Sequence, residues 1–392
     1  MLTLLLIVIY ISFISLGLPD SLLGSAWPIL HADLSVPISY AGIISMIISG
    51  STIISSFFSE KIIRKLGTGF VTAISVFMTA GALLGFSYAP SFVWLCVLAI
   101  PLGLGAGSVD AALNNFVALH YKARHMSWLH CFWGIGATLG PVIMSVYLNK
   151  DGQWNLGYRT IGIIQTVLVT LLFITLPLWK NVKGGEESAK DSTPKSLKIK
   201  DIFKIKGAKT AFISFFCYCA LEATTGLWGS SYLVFERGIN SEVAAKWISL
   251  FYLGITIGRF ISGFATMKLN NQTMIRIGEL LIVAGIAVLF MPFHNNILQG
   301  GFLLIGLGCA PIYPCMLHET PNRFSKSLSA SLMGIQMAFA YVGSTFMPPL
   351  FGAISGVLSL NLFPVFLLII LILMILSSEH VNIAVKNNKK TV

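Results

Sequence analysis

The sequence predicts an all-α membrane protein with twelve transmembrane helices in two pseudo-symmetric six-helix bundles, and three observations carry that prediction. Of its 392 residues, 55% are hydrophobic and 10% charged, with a mean hydropathy of +0.82; a soluble globular chain has about 25% charged residues. Apolar segments, each long enough to cross about 30 Å of hydrocarbon, recur six times before a polar stretch and six times after it. The two sets of six also match each other at a nearly constant spacing.

The twelve segments, numbered helix 1 to helix 12, are expected at 4–30, 40–60, 69–88, 92–119, 127–148, 159–179, 208–234, 244–267, 273–292, 297–317, 327–353 and 359–378. The opening run is longer than a cleaved signal peptide and lacks its basic start, so it is expected to remain as helix 1. Domain organisation follows: a first bundle over 1–180, a linker over 181–207, a second bundle over 208–380 and a tail over 381–392. The heart of the linker, KNVKGGEESAKDSTPKSLKIKD, has too little apolar content to form a core.

Net charge is +11, and the placement of the basic residues explains it better than nucleic-acid binding does. With the N-terminus inside, twenty-one Lys and Arg fall on the inner side, among them Lys61, Arg64, Lys65 and nine lysines from Lys180 to Lys209, against four outside. That is a positive-inside pattern, so both termini are expected in the cytoplasm of a cell whose plasma membrane this protein crosses many times. The six cysteines fall in or beside apolar segments and show no zinc-type pairing, so they read as buried thiols. No metal cluster, phosphate-binding loop or nucleophile triad stands out; neither an enzyme nor a cofactor is expected.

The halves overlay as follows. Asp20-x3-Gly24-x2-Trp27 in helix 1 matches Glu222-x3-Gly226-x-Trp228 in helix 7, 202 residues on, and Gly103-Leu104-Gly105 in helix 4 matches Gly306-Leu307-Gly308 in helix 10, 203 residues on. Lys65-Leu66 matches Lys268-Leu269, and Pro141 in helix 5 matches Pro348 in helix 11. A parallel repeat of this kind puts a binding site near the bilayer midplane, between the halves.

Isolated acids at that depth cost roughly 2.5–3.5 kcal/mol on insertion scales, so they face an interior and mark a site. Asp20, Asp110 and Glu222 are the candidates for proton coupling, with sodium as the competing ion. Asp110 and Asn114 stand four residues apart on one helical face. Asn114, Asn115 and Gln336 offer uncharged donors and acceptors suited to hydroxyl groups, and His130 adds a hydrogen-bonding or titrating ring. Tyr313 fills in helix 10 the place Asp110 fills in helix 4. Trp27 and Trp228 have faces that could stack on a pyranose, or could anchor at the lipid interface. Glu60, Arg64 and Arg259 read as gating or structural charges; Gly140, Pro141 and Pro348 read as points where helices 5 and 11 bend so that the bundles can rock.

These residues resemble the major facilitator superfamily over essentially the whole chain. SEKIIRKLGTG (59–69) is similar to the signature loop G-x-x-x-D-R-x-G-R-R, with Glu60 in place of Asp and Arg64-Lys65 before Gly67. Asp20, Asp110-x3-Asn114, LHCFWGIGATLGP (129–141), YCALEATTGLW (218–228) and GRFISG (258–263) together resemble the fucose permease-like branch. The resemblance implies two rocking bundles and proton–sugar symport, with Asp20 and Asp110 handling proton and sugar. Helix 4 carries Asp where that branch has Glu, and His130 stands where it has an amide, so fucose itself does not follow. The expected partners are a small sugar-like solute, protons and the lipid bilayer, with no nucleic acid, and the chain is expected to act as a monomer. The other reading in view is a proton-antiport exporter of drugs or metabolites.

Overall fold

The computed structural model of the chain describes residues 2–121, 123–149, 152–180, 199–291, 297–324 and 326–389. Among these residues, twelve helices are long and apolar enough to span a membrane. In the first bundle they are helix 1 (Leu2–Asp20 and Leu22–Asp33), helix 2 (Ala41–Leu66), helix 3 (Thr68–Phe86), helix 4 (Phe92–His120), helix 5 (Ala123–Leu148) and helix 6 (Trp154–Lys180). The second holds helix 7 (Ala208–Phe235), helix 8 (Ser241–Ala265), helix 9 (Asn271–Phe290), helix 10 (Leu298–Phe324), helix 11 (Lys326–Val357) and helix 12 (Phe363–Lys389). Their hydrophobic character runs all round each helix because one side meets lipid and the other meets neighbouring helices.

Several local expectations change. The signature stretch from Ser59 to Leu66 is not a loop: helix 2 continues through it, and Glu60 and Arg64 form an exposed ion pair one turn apart, 3.8 Å long. The turn into helix 3 is made at Gly67 alone, whose φ of 79° suits glycine. Arg159, one of the four basic residues counted outside, lies inside helix 6, with its guanidinium 4.5 Å above the Tyr88 ring. Most of the expected linker, 181–198, lies outside the described residues. Its end forms a short turn of helix, Ile199–Ile202, whose Ile202 is buried with Ala208, Phe212 and Phe324. The last helix continues past residue 380, and Val381 is fully buried.

The repeat read from the sequence appears as repeated packing. Gly103 abuts the Ile48 carbonyl of helix 2, and Gly306 abuts the Phe251 carbonyl of helix 8, each partner 203 residues on. In the same way Gly136 of helix 5 meets Ile14 and Leu18 of helix 1, while Gly343 of helix 11 meets Phe216 and Ala220 of helix 7. At these positions a Cβ would strike backbone, which is why only glycine lets the helices close to this distance.

The two ends of the molecule differ. The linker end gathers Gly207, Phe324 and Ala384, with Arg323 donating to Asn382 Oδ1 at 2.8 Å. At the opposite end, here the far face, Tyr232 and Arg237 donate to the carbonyls that close helix 9, and Trp154 donates to Asp33 at 2.6 Å. The bundles meet toward that far face. Gly24 crosses helix 7 at the carbonyls of Gly226 and Leu227, Gly42 meets Pro349, Gly352 and Gly356 meet Ser39, and the ring of His31 packs edge-on against Phe235 at 5.5 Å. Gly24 and Gly226 are repeat-related, although a Cβ at Gly226 would meet Tyr252 of its own bundle.

Candidate functional site

Helix 1 breaks where its acid lies. Pro19 has no N–H, so the Ser15 carbonyl four residues earlier has no partner within the helix. Gln165 of helix 6 supplies one, donating Nε2 to Ser15 O at 2.7 Å while its Oε1 accepts from Thr79 of helix 3 at 2.8 Å. The helix resumes at Leu22, leaving Asp20 at the end of the first segment, next to the break. Residues 15–19 and 21–28 are buried, yet Asp20 is exposed, so its carboxylate opens onto a space inside the molecule between the bundles.

Around Asp20 the two halves bring a small set of polar groups together. Trp133 of helix 5 donates Nε1–H to Asp20 Oδ2 at 2.8 Å. The face of the same indole lies under Arg259 of helix 8, with the guanidinium carbon 5.1 Å from the ring centroid. Arg259 in turn stands 4.0 Å from Glu222 of helix 7, and both side chains remain about one-fifth exposed. Asp110 and Glu222 lie within electrostatic reach of Asp20, as Tyr252 does of Asp20 and Glu222. Asp110 accepts from Asn114 Nδ2 at 2.9 Å, the one-turn pairing expected from their spacing. His130 lies edge-on to Phe13 at 6.0 Å and within reach of Arg259. Tyr313 donates to Met337 Sδ at 2.7 Å and packs against Phe215 and Tyr218. Three carboxylates and one guanidinium thus share the interior, and among the described residues neither Asp20 nor Asp110 is in an ion pair.

Other expected site residues stand elsewhere. Trp27 is fully buried and donates to Ile38 O at 2.6 Å, and Trp228 is fully buried and donates to Pro348 O at 2.8 Å. Both indoles are committed to the packing at the far face, so neither offers a face to a solute in this conformation. Gln336 is buried, its Oε1 taken by Thr320 at 2.9 Å. Asn115 is exposed on the face of helix 4 that also carries exposed Val97, five helical turns away, and that face is not the one bearing Asp110. Gly140 meets Leu18 O and Ser21 Oγ, so it lets helices 5 and 1 touch; helix 5 runs unbroken through Pro141, and helix 11 through Pro348. The discontinuity falls in helix 1 instead. Arg259, a gating or structural charge on the sequence reading, stands beside Trp133 and Glu222. Trp133 and Tyr252 join the site through tertiary packing, and their one sequence signal is that each is an amphipathic aromatic in mid-helix.

The Major Facilitator Superfamily sequence profile matches residues 9–245 and 210–390, nearly the whole chain. The chain belongs to the Major Facilitator Superfamily. The glucose/mannose transporter GlcP of Bacillus subtilis is 25% identical over 331 residues, covering 79% of this chain and 77% of that one. Bypass of stop codon protein 6 of Saccharomyces cerevisiae is 23% identical over 90% of this chain and 77% of its own. Among solved structures, the nucleoside transporter NupG superposes with a TM-score of 0.76 at 15% identity, over 96% of this chain and 98% of NupG, which is a likeness of fold. This superfamily member is therefore a multi-pass membrane transporter and not an enzyme.

Proposed function

We propose that this protein is a proton-coupled symporter of a small polyhydroxylated solute, a sugar, working by alternating access. The observation that carries the reading is the pair Asp20 and Asp110, two interior carboxylates whose hydrogen-bond donors are neutral, Trp133 and Asn114. A carboxylate with a cation beside it holds its charge; one with neutral donors only can be neutralised by a proton, and that suits a carrier. Trp133, Tyr313 and His130 supply ring faces and hydrogen-bonding groups for a sugar. The name of GlcP supports a hexose, and the match of both halves supports rocking of two bundles about the crossing at Gly24 and Gly226.

The excess of basic residues near the linker end supports a cytoplasmic linker face, in a bacterial plasma membrane. With that orientation the contacts at the far face close the outer side, and the proton enters from outside when the far face opens. A single chain contains both bundles and the whole site, which supports a monomer. Reconstitution in liposomes containing a pH dye, followed by a panel of hexoses outside, tests the reading. Acidification of the lumen with one sugar, absent in Asp110→Asn and Asp20→Asn, is expected. Proton exit from acid-loaded liposomes on adding a lipophilic cation, with no response to any sugar, would make the protein an exporter instead.

A further inference from the structure

The central cluster contains a link between the bundles that the symport reading above does not require but rests beside. Trp133 is the one side chain that touches Asp20 through its N–H and Arg259 through its ring face. Next to it, Gly134 lets the Thr256 side chain of helix 8 come so close that a Cβ would collide, so helix 8 packs through that side chain directly on the backbone of helix 5. We propose that Trp133 is a positioning residue that passes the protonation state of Asp20, in the first bundle, to the Arg259–Glu222 pair in the second.

The physical steps are these. A charged Asp20 accepts the indole N–H in a charge-assisted hydrogen bond and fixes the plane of the ring. That plane presents the negative face of the indole to Arg259, which shares its charge between the ring and Glu222. When Asp20 takes up a proton, its oxygen becomes a weaker acceptor and the indole is free to turn. Arg259 then loses the ring face and closes on Glu222, and the contact between helices 5 and 8 changes. Each bundle therefore learns the charge on an acid that only one of them carries. The groups that face Asp20 and share in this response are Asp110, Glu222 and Tyr252. Those within electrostatic reach of Arg259, besides Glu222, are His130, Cys131, Tyr218, Cys219, Cys309 and Tyr313.

The test uses the full chain in lipid nanodiscs with no solute added, and bio-orthogonal spin labels at Lys65 and Lys268, the repeat-related linker-end positions of helices 2 and 8. In the unmutated protein, the ratio of the populations showing the shorter and the longer inter-label distance is expected to change roughly tenfold between acidic and basic pH, a coupling of ordinary size. Asp20→Asn should abolish the change. Trp133→Phe keeps a ring and loses the N–H; Trp133→Gln keeps an N–H and loses the ring face; both should reduce the change to less than about twofold. A Trp133 that is merely structural would lower thermal stability and leave this pH response intact. Should Trp133→Phe fail to fold, Trp133→Gln and Arg259→Gln make the same comparison. A wild-type response in the foldable Trp133 variants overturns the proposal, as does an unmutated protein whose distances ignore pH. Because no solute is present, a pH response together with no sugar transport separates a wrong substrate from a wrong link.

Discussion

In the proposed symport the proton is assigned to Asp20 and Asp110, because their hydrogen-bond donors are the neutral Trp133 and Asn114, whereas Glu222 stands 4.0 Å from Arg259. Replacing Asp110 or Asp20 by Asn keeps size and hydrogen bonding but removes the titrating oxygen. Exchange of labelled against unlabelled sugar needs no net proton movement, so it should survive in both variants, while pH-driven accumulation falls by at least about tenfold, or about 1.4 kcal/mol of coupling; the two assays on one liposome preparation decide this. The tryptophans behave differently. Trp228→Phe removes the hydrogen bond to Pro348 O and part of a fully buried ring that packs on Gly352 and Phe351, and should cost roughly 2–4 kcal/mol in thermal unfolding while leaving sugar competition unchanged. A stacking role would instead weaken the apparent affinity. The residue types and the depths of Asp20, Asp110, Asn114 and Glu222 can be read from the sequence, because spacing on a helix decides which of them share a face. That Trp27, Trp228 and Gln336 point into packing cannot, because an indole or amide in mid-helix fits either environment.

Helix 1 shows how one element acquires a break. Pro19 removes an N–H, and the orphaned Ser15 carbonyl is satisfied from helix 6, two helices that meet only in the folded bundle. Gln165→Leu strands that carbonyl and leaves the Thr79 hydroxyl only its bond to the Val76 carbonyl, and should destabilise the protein by about 1–3 kcal/mol. Adding Pro19→Ala should recover part of that loss, since residue 19 then returns an N–H to Ser15; unfolding in detergent would show the non-additivity. Helices 5 and 11 carry prolines as well but remain continuous, so a proline in the sequence marks a possible break without deciding one.

Across the whole molecule, the bundles close against each other at the far face, where repeat-related glycines cross. A side chain added at Gly356 would place its Cβ 3.4 Å from that of Ser39, close to the separation a disulfide needs. The pair Ser39→Cys and Gly356→Cys should therefore cross-link under mild oxidant, lock the far face shut and stop transport, with activity returning on reduction; transport that persists in fully cross-linked protein would show that this face need not open. Gly24→Leu should act in the opposite direction, holding the bundles apart at the Gly226 and Leu227 carbonyls, which labels on the two bundles would report as a wider far face.

Twelve crossings, two bundles and their internal repeat follow from the sequence by itself, since apolar run length, charge placement and a constant spacing are properties of the chain that the bilayer reads directly. The repeat even named in advance the glycines of helices 4 and 10 that pack alike. Tertiary structure alone decided that Arg259 stands at the centre, that Trp133 joins Asp20 to it, and that the break lies in helix 1. Each of these depends on which face of one helix meets which face of another, and the close packing that sets those meetings is a property of the assembled bundles.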